Sequence, residues 1–448
     1  MYPFYFTMKK FITYIILGLT VLVNLTSCKD DPVYDEDIIT TQTLLVYMPW
    51  TGTATKADGL YTYLTQNLDS IKAAILAQGL DNRRVIVYFN NSANSARLYE
   101  LTVNGNQIQE KDIKEYSGTE YTTAEGIADI ITTAFTSAPA LNYAMIIGSH
   151  AMGWTYKEDW LNYPYYAKSN TQESNKKQQT NPLANWNQGD NIENITRFYG
   201  SVSDISSYGV DLNTLKEALL AAEGNITYPA TESHKLQYLL FDDCYMANVE
   251  TAYEIKDVTN YLIASTSEVM GEGMPYRRIF NYLSSASPSY SSIVSTFYSY
   301  YNNKKNYPYG ELSAIDCRQL DNLAEFMNRM NAKYTLADSL RDSIQVLDGF
   351  SHIQVEPLFY DMTDYINHLG LKNSELENYN DLISKVVYAH QNTTLLYSNL
   401  SSIYGETTFN VNTCCGLTIS DLSLNTVAIK GKEKTAWWKA THTLLSSI

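Results

Sequence analysis

An α/β fold built on a mostly parallel sheet, with helices on both faces, is what the 448-residue chain predicts, and three observations predict it. Short apolar runs without polar alternation, Leu44–Met48, Tyr143–Ile147 and Leu236–Phe241, have the pattern of strands buried on both sides. Between them lie stretches with helical spacing, and that alternation is the signature of a covered parallel sheet. Two of the runs end abruptly in polar, chemically competent residues, His150 and Cys244. Carboxyl ends of strands are where open α/β sheets place their ligands.

At the amino end, Lys9 and Lys10 precede the apolar run 11–23, which is too short to span a bilayer and belongs to a targeting segment. Leu25-Thr-Ser-Cys28 resembles the bacterial lipoprotein signal, which implies removal of residues 1–27 and lipidation of Cys28; the alternative is a plain secretory peptide. Cys28-Lys-Asp-Asp31 resembles the acidic signal that sends lipoproteins of Bacteroidetes to the outer face of the outer membrane. The expected location is therefore the cell envelope, with a lipid anchor in the outer membrane. Residues 28–40, rich in Asp and Glu, form a solvated tether.

Residues 41–448 are the expected globular domain. After Leu44–Met48, Leu60, Leu64, Leu68, Ile71 and Ile75 give a helix one apolar face, closed at Gly79. Arg84–Phe89 is a second strand. Thr122-Thr-Ala-Glu125 has the form of a capping box opening a helix with Ile127, Ile130, Ile131, Ala134 and Phe135 on one side. The His150 strand follows. From 155 to 208 the periodicity fails and polar residues take over, as in a long functional or disordered loop. A helix after Asp211, the Cys244 strand, a strand at 261–265 and another at 311–315 come next. Residues 318–448 hold mostly helical pattern to about 390, then paired strands over 394–420 and a closing helix near Trp437, expected to pack on the same domain.

Cys244 lies where the strand 236–241 gives way to a helical pattern beginning at Met246. A thiol at a helix amino end is a candidate nucleophile, while the competing reading is an inert core cysteine. His150 at a second strand end favours the first, since the two can face each other across the crevice as a Cys/His pair requires.

These residues carry a wider pattern: His150-Ala-Met-Gly-Trp154, then Phe241-Asp-Asp-Cys244-Tyr-Met246, Glu250, Ala252-Tyr-Glu254, Ala264-Ser265 and Gly271-Glu-Gly-Met-Pro-Tyr276. In order and spacing it resembles the clostripain family of cysteine peptidases. The resemblance implies a caspase-like three-layer αβα sandwich with a mostly parallel sheet, and a cysteine endopeptidase cleaving after Arg or Lys. It implies Cys244 as nucleophile, His150 as its partner, and the backbone N–H groups of Cys244 and Ala151 as the oxyanion site. Ala151 stands where the family usually has glycine, and a positive φ there would be strained. Asp242 and Glu272 correspond to the acids that receive the basic side chain. Self-cleavage in the loop after His150 is also implied, with Lys176 and Lys177 as candidate sites. The alternative is a catalytically impaired homologue acting as a cell-surface binding protein.

The formal charge of −16 argues against a nucleic-acid partner; protein or peptide substrates, the membrane reached through the lipid, and a monomeric state are expected. Neither CxxC nor HExxH occurs, and no cofactor is expected, with calcium dependence left open. Cys317, Cys414 and Cys415 are expected to be free thiols, the last two adjacent in a strand; the alternative is a disulfide from Cys317 to one of them.

Overall fold

The computed structural model describes residues 40–161, 200–226, 235–350, 356–398 and 408–443. Cys28, Lys176 and Lys177 lie outside the described residues. Residues 40–448 form one compact unit.

Thirteen strands are described: β1 Gln42–Met48, β2 Arg83–Ser92, β3 Ser95–Asn104, β4 Gln107–Tyr116, β5 Asn142–Gly148, β6 Leu239–Asp242, β7 Tyr261–Ala264, β8 Glu311–Asp316, β9 Tyr360–Asp361, β10 Val387–Asn392, β11 Leu395–Tyr397, β12 Thr408–Asn410 and β13 Thr418–Ile419. Nine make the main sheet, in the order β10-β8-β7-β6-β5-β1-β2-β3-β4. The five from β2 to β7 are parallel. Antiparallel strands close both edges, β3 and β4 on one side, β8 and β10 on the other. β11 pairs with β12, and β13 with β9, in two small outlying ladders.

The central strands are buried along their length, and their side chains alternate between two apolar layers. Leu44, Val46, Ala144, Ile146, Leu240 and Ile263 face helices 59–78, 276–283 and 290–302. Leu45, Tyr47, Met145, Ile147, Leu239 and Phe241 face helices 124–137, 212–223, 249–255 and 320–331. The result is the expected caspase-like αβα sandwich.

The structure corrects several local expectations. The Cys244 strand is only four residues long, since Leu236 makes no more than an isolated bridge to Thr259. The helix after it begins at Val249 under an Asn248 cap, so Cys244 does not sit at a helix amino end. A helix dipole acts within about its first turn, and four residues separate the thiol from the first helical residue. The 124–137 helix is capped by Thr123, whose hydroxyl accepts from Gly126 N, and not by Thr122. Cys414 and Cys415 lie between β12 and β13, not in a strand, and are free thiols along with Cys244 and Cys317.

Candidate active site

Three neighbouring strands deliver the site. β1 and β6 flank β5, with Tyr47 opposite Ile147 and Gly148 opposite Asp242. His150 and Cys244 therefore each stand two residues beyond one register pair, side by side in sequence position at the sheet's carboxyl edge. Their loops are tied together directly. Asp243, fully buried, accepts the Ser149 N–H at 2.6 Å, and Ser149 Oγ accepts from Gly200 N at 2.6 Å, which brings the chain after the polar segment back beside His150. Gly153 takes φ +60°, and a Cβ there would run into Asn248 and Phe359 at 2.7 Å, so the turn after the histidine requires glycine.

His150 is almost fully buried and its Nε2 lies 2.7 Å from Asp58 Oδ2. Its Nδ1 has no hydrogen-bond partner among the described residues. Asp58 is the cap of the 59–78 helix: its Oδ1 accepts from Tyr61 N at 3.1 Å and from Thr51 Oγ1 at 2.8 Å. Burial opposes its charge, but the bond and charge of His150, with the Thr51 and Tyr61 donors, hold its carboxyl below the usual range. The sequence signal for Asp58 was its place just before an amphipathic helix, which announces a cap and says nothing of a partner some ninety residues on.

Cys244 is fully buried, in an apolar cluster with Met152, Trp154, Tyr245 and Phe359. Its Sγ accepts the Val269 N–H at 3.4 Å, from the loop after β7. The next residue, Tyr245, has φ +58°, strained for a non-glycine. It is locked there: its N–H reaches Ser267 O at 3.0 Å, its hydroxyl donates to Glu268 Oε1 at 2.8 Å and its ring stacks on Phe359. Ala151, by contrast, does not have positive φ, and the expected strain there is absent. A glycine would relieve nothing at this buried methyl. Ala151→Gly is expected to lower stability by about 1 kcal/mol without raising kcat, checked by thermal melting and steady-state kinetics.

Asp242 is fully buried, and its Oδ2 accepts from Tyr276 Oη at 2.9 Å and Asn67 Nδ2 at 3.2 Å. Glu272 is about half exposed and is bound instead to Lys304 Nζ and, at 2.8 Å, to Tyr300 Oη. Burial resists its ionisation, yet those two donors keep its carboxyl below the usual range. The two acids thus have separate partners, Asp242 a phenol and an amide, Glu272 a phenol and the Lys304 ammonium. Among the described residues no group of three or more His, Cys, Asp or Glu could hold a metal ion.

Set against known proteins, the chain matches no curated protein. Among solved structures it is similar to iotapain, a secreted C11 cysteine protease from Bacteroides thetaiotaomicron, at 34% identity and TM-score 0.75, over 90% of this chain and 100% of that one. At fold level it resembles an inactive zymogen C11 protease from Parabacteroides distasonis (20% identity, TM-score 0.67, 90% of this chain and 99% of that one). A second secreted C11 cysteine protease from Bacteroides thetaiotaomicron, solved with an irreversible peptide inhibitor, shares the fold at 18% identity and TM-score 0.67, over 91% and 99%. The clostripain family model matches residues 185–427, a span that takes in Cys244, Asp242 and Glu272 but starts after His150. With that match and the likeness to iotapain over nearly its whole length, the chain belongs to the clostripain family of cysteine proteases.

Proposed function

We propose that the chain is an endopeptidase that cleaves after Arg or Lys with Cys244 as nucleophile and His150 as proton carrier. The observation that carries this reading is the register of β5 and β6, which brings a histidine held by a buried carboxylate and a cysteine to one edge of the sheet. The thiol passes its proton to His150, and the sulfur attacks the scissile carbonyl. The oxyanion is received by the backbone N–H groups of Cys244 and Ala151. His150 then protonates the leaving amine as the C–N bond breaks, and water releases the acyl group from sulfur. The chain is further read as an envelope lipoprotein anchored through Cys28 to the outer membrane and able to cut itself after Lys176 or Lys177. A polar stretch of sequence tethered to its own site offers a high effective concentration.

Selectivity for a basic side chain falls to Asp242, because Lys304 already neutralises Glu272. Asp242→Asn is expected to lower kcat/KM for arginyl substrates by roughly 10- to 100-fold, the worth of one charge-assisted hydrogen bond. Alkylation of Cys244 by iodoacetamide should be unchanged. Glu272→Gln should cost no more than about threefold, since its charge is already paired. Equal losses in both variants would return Asp242 to a structural role. The test of the whole reading is labelling with an arginyl chloromethyl ketone, followed by mass mapping. Modification of Cys244 in the folded protein supports it, and modification only after denaturation favours a binding protein.

A further inference from the structure

We propose that Asp58 is the positioning residue for His150, fixing the ring so that Nδ1 is the atom that exchanges protons with thiol and leaving group; this rests on the reading of His150 as the catalytic histidine. The geometry gives each oxygen of the Asp58 carboxylate one task. Oδ1 is held by Thr51 Oγ1 at 2.8 Å and Tyr61 N at 3.1 Å, which anchors the group to the start of the 59–78 helix. Oδ2 points at His150 Nε2 at 2.7 Å, with both side chains no more than 6% exposed. A carboxylate accepts and cannot donate, so Nε2 carries the hydrogen. In the neutral ring the lone pair is then on Nδ1, the nitrogen with no other partner among the described residues.

The proton balance follows. The Cys244 S–H gives its proton to Nδ1 and leaves a thiolate and an imidazolium, whose Nε2–H stays on Asp58. After attack, the Nδ1 proton goes to the departing nitrogen while the acyl–sulfur bond remains. In the second half Nδ1 takes a proton from water as its oxygen bonds to the acyl carbon, then returns it to the leaving sulfur. Asp58 exchanges no proton in either half. It favours the imidazolium and holds the ring plane, as a carboxylate does behind a catalytic histidine.

Asp58→Asn isolates this role from the cap, because asparagine caps as well as aspartate. Its carbonyl keeps the Thr51 and Tyr61 bonds, while its NH₂ replaces the acceptor facing Nε2 with a donor. The variant, made in the full chain, is expected to lose about 10²- to 10⁴-fold in kcat with KM changed less than about threefold. A merely structural Asp58, its cap bonds kept by the asparagine, would leave kcat in place, and an unchanged kcat overturns the proposal. Nitrogen-15 NMR of the histidines in Cys244→Ala protein, with His150 assigned by its loss in His150→Gln, decides the matter even if the asparagine variant fails to fold. A neutral ring protonated on Nε2 is expected, and one protonated on Nδ1 overturns the proposal. His150→Gln turnover separates the two readings: normal turnover removes the dyad itself, whereas loss there with a normal Asp58→Asn removes only the role of Asp58.

Discussion

Cys244→Ala is expected to lower hydrolysis of arginyl and lysyl amides by at least about 10⁴-fold, to the level left by binding and oxyanion contacts alone. The argument is chemical, since no other thiol among the described residues is near His150 in the register: Cys317 follows β8, and Cys414 and Cys415 lie between β12 and β13. The fold should survive. The substitution removes one sulfur from a packed apolar cluster and one weak acceptor from Val269 N–H, about 1 kcal/mol or slightly more. Circular dichroism and thermal melting check the fold, and steady-state kinetics the activity. The same protein reports on self-processing. Mass spectrometry should find the alanine variant as one chain and the wild type cut after Lys176 or Lys177. Residual turnover above about a hundredth of wild type would sink the assignment of Cys244.

Stability is expected to fall as pH rises from about 4 to 8, and three buried carboxyls set the direction. Burial pushes Asp348 up from its ordinary 3.8 to about 6, even though it accepts N–H bonds from Phe350, Leu358 and Phe359. Burial likewise raises Glu250 and Asp421, which face each other; the nearby Lys432, itself lowered by burial, relieves them only in part. Because each folded-state value lies above the unfolded one, the folded chain binds more protons between the two, and stability present at low pH is lost as pH climbs through the folded value. Asp348 alone contributes about 3 kcal/mol across roughly pH 4 to 6, and the Glu250–Asp421 pair extends the loss to higher pH. Asp58 acts in the opposite sense below that window: its depressed value stabilises the fold above the ordinary carboxyl range and is lost in acid. A maximum near pH 4 to 5 follows.

Urea unfolding of Cys244→Ala protein between pH 4.5 and 8.5 checks this without interference from proteolysis. Glu250→Gln should flatten the upper part of the profile, because its carbonyl can still accept the Ser420 N–H that Glu250 Oε1 accepts at 2.6 Å. A stability that rises steadily to pH 8 would mean that these carboxyls are ionised in the folded protein.

The sheet was legible where strands are buried on both faces, because continuous apolar runs such as Leu44–Met48 have no other economical explanation. The β3–β4 hairpin is not announced by apolar pattern, although Asn104-Gly105 stands at its turn and Gly105 has φ +60°. Its outer strand, Gln107 to Tyr116, is polar at every exposed position, charged at five of seven, and so lacks the apolar face that marks a strand. At the site, residues with a distinctive chemistry were found from sequence, and those defined by a partner were not. His150 and Cys244 stand out at strand ends. Asp58 acquires its meaning only when β1 pairs with β5, and Lys304 meets Glu272 only when the 290–302 helix packs on the sheet.

The order β1, β5, β6 at the centre of the sheet has a kinetic corollary. The three neighbouring strands come from widely separated parts of the chain, so Asp58 and His150 pair, and Cys244 reaches the same edge of the sheet, only after two non-local parallel pairings have formed. Parallel pairings of this kind close long loops before any contact rewards them and are slow to form. With the proposed dyad, a partly folded chain that has one pairing made and the other open has a histidine without its cysteine or without its carboxylate. Proteolytic competence thus arrives late in folding, after the core that would otherwise be cut has been covered.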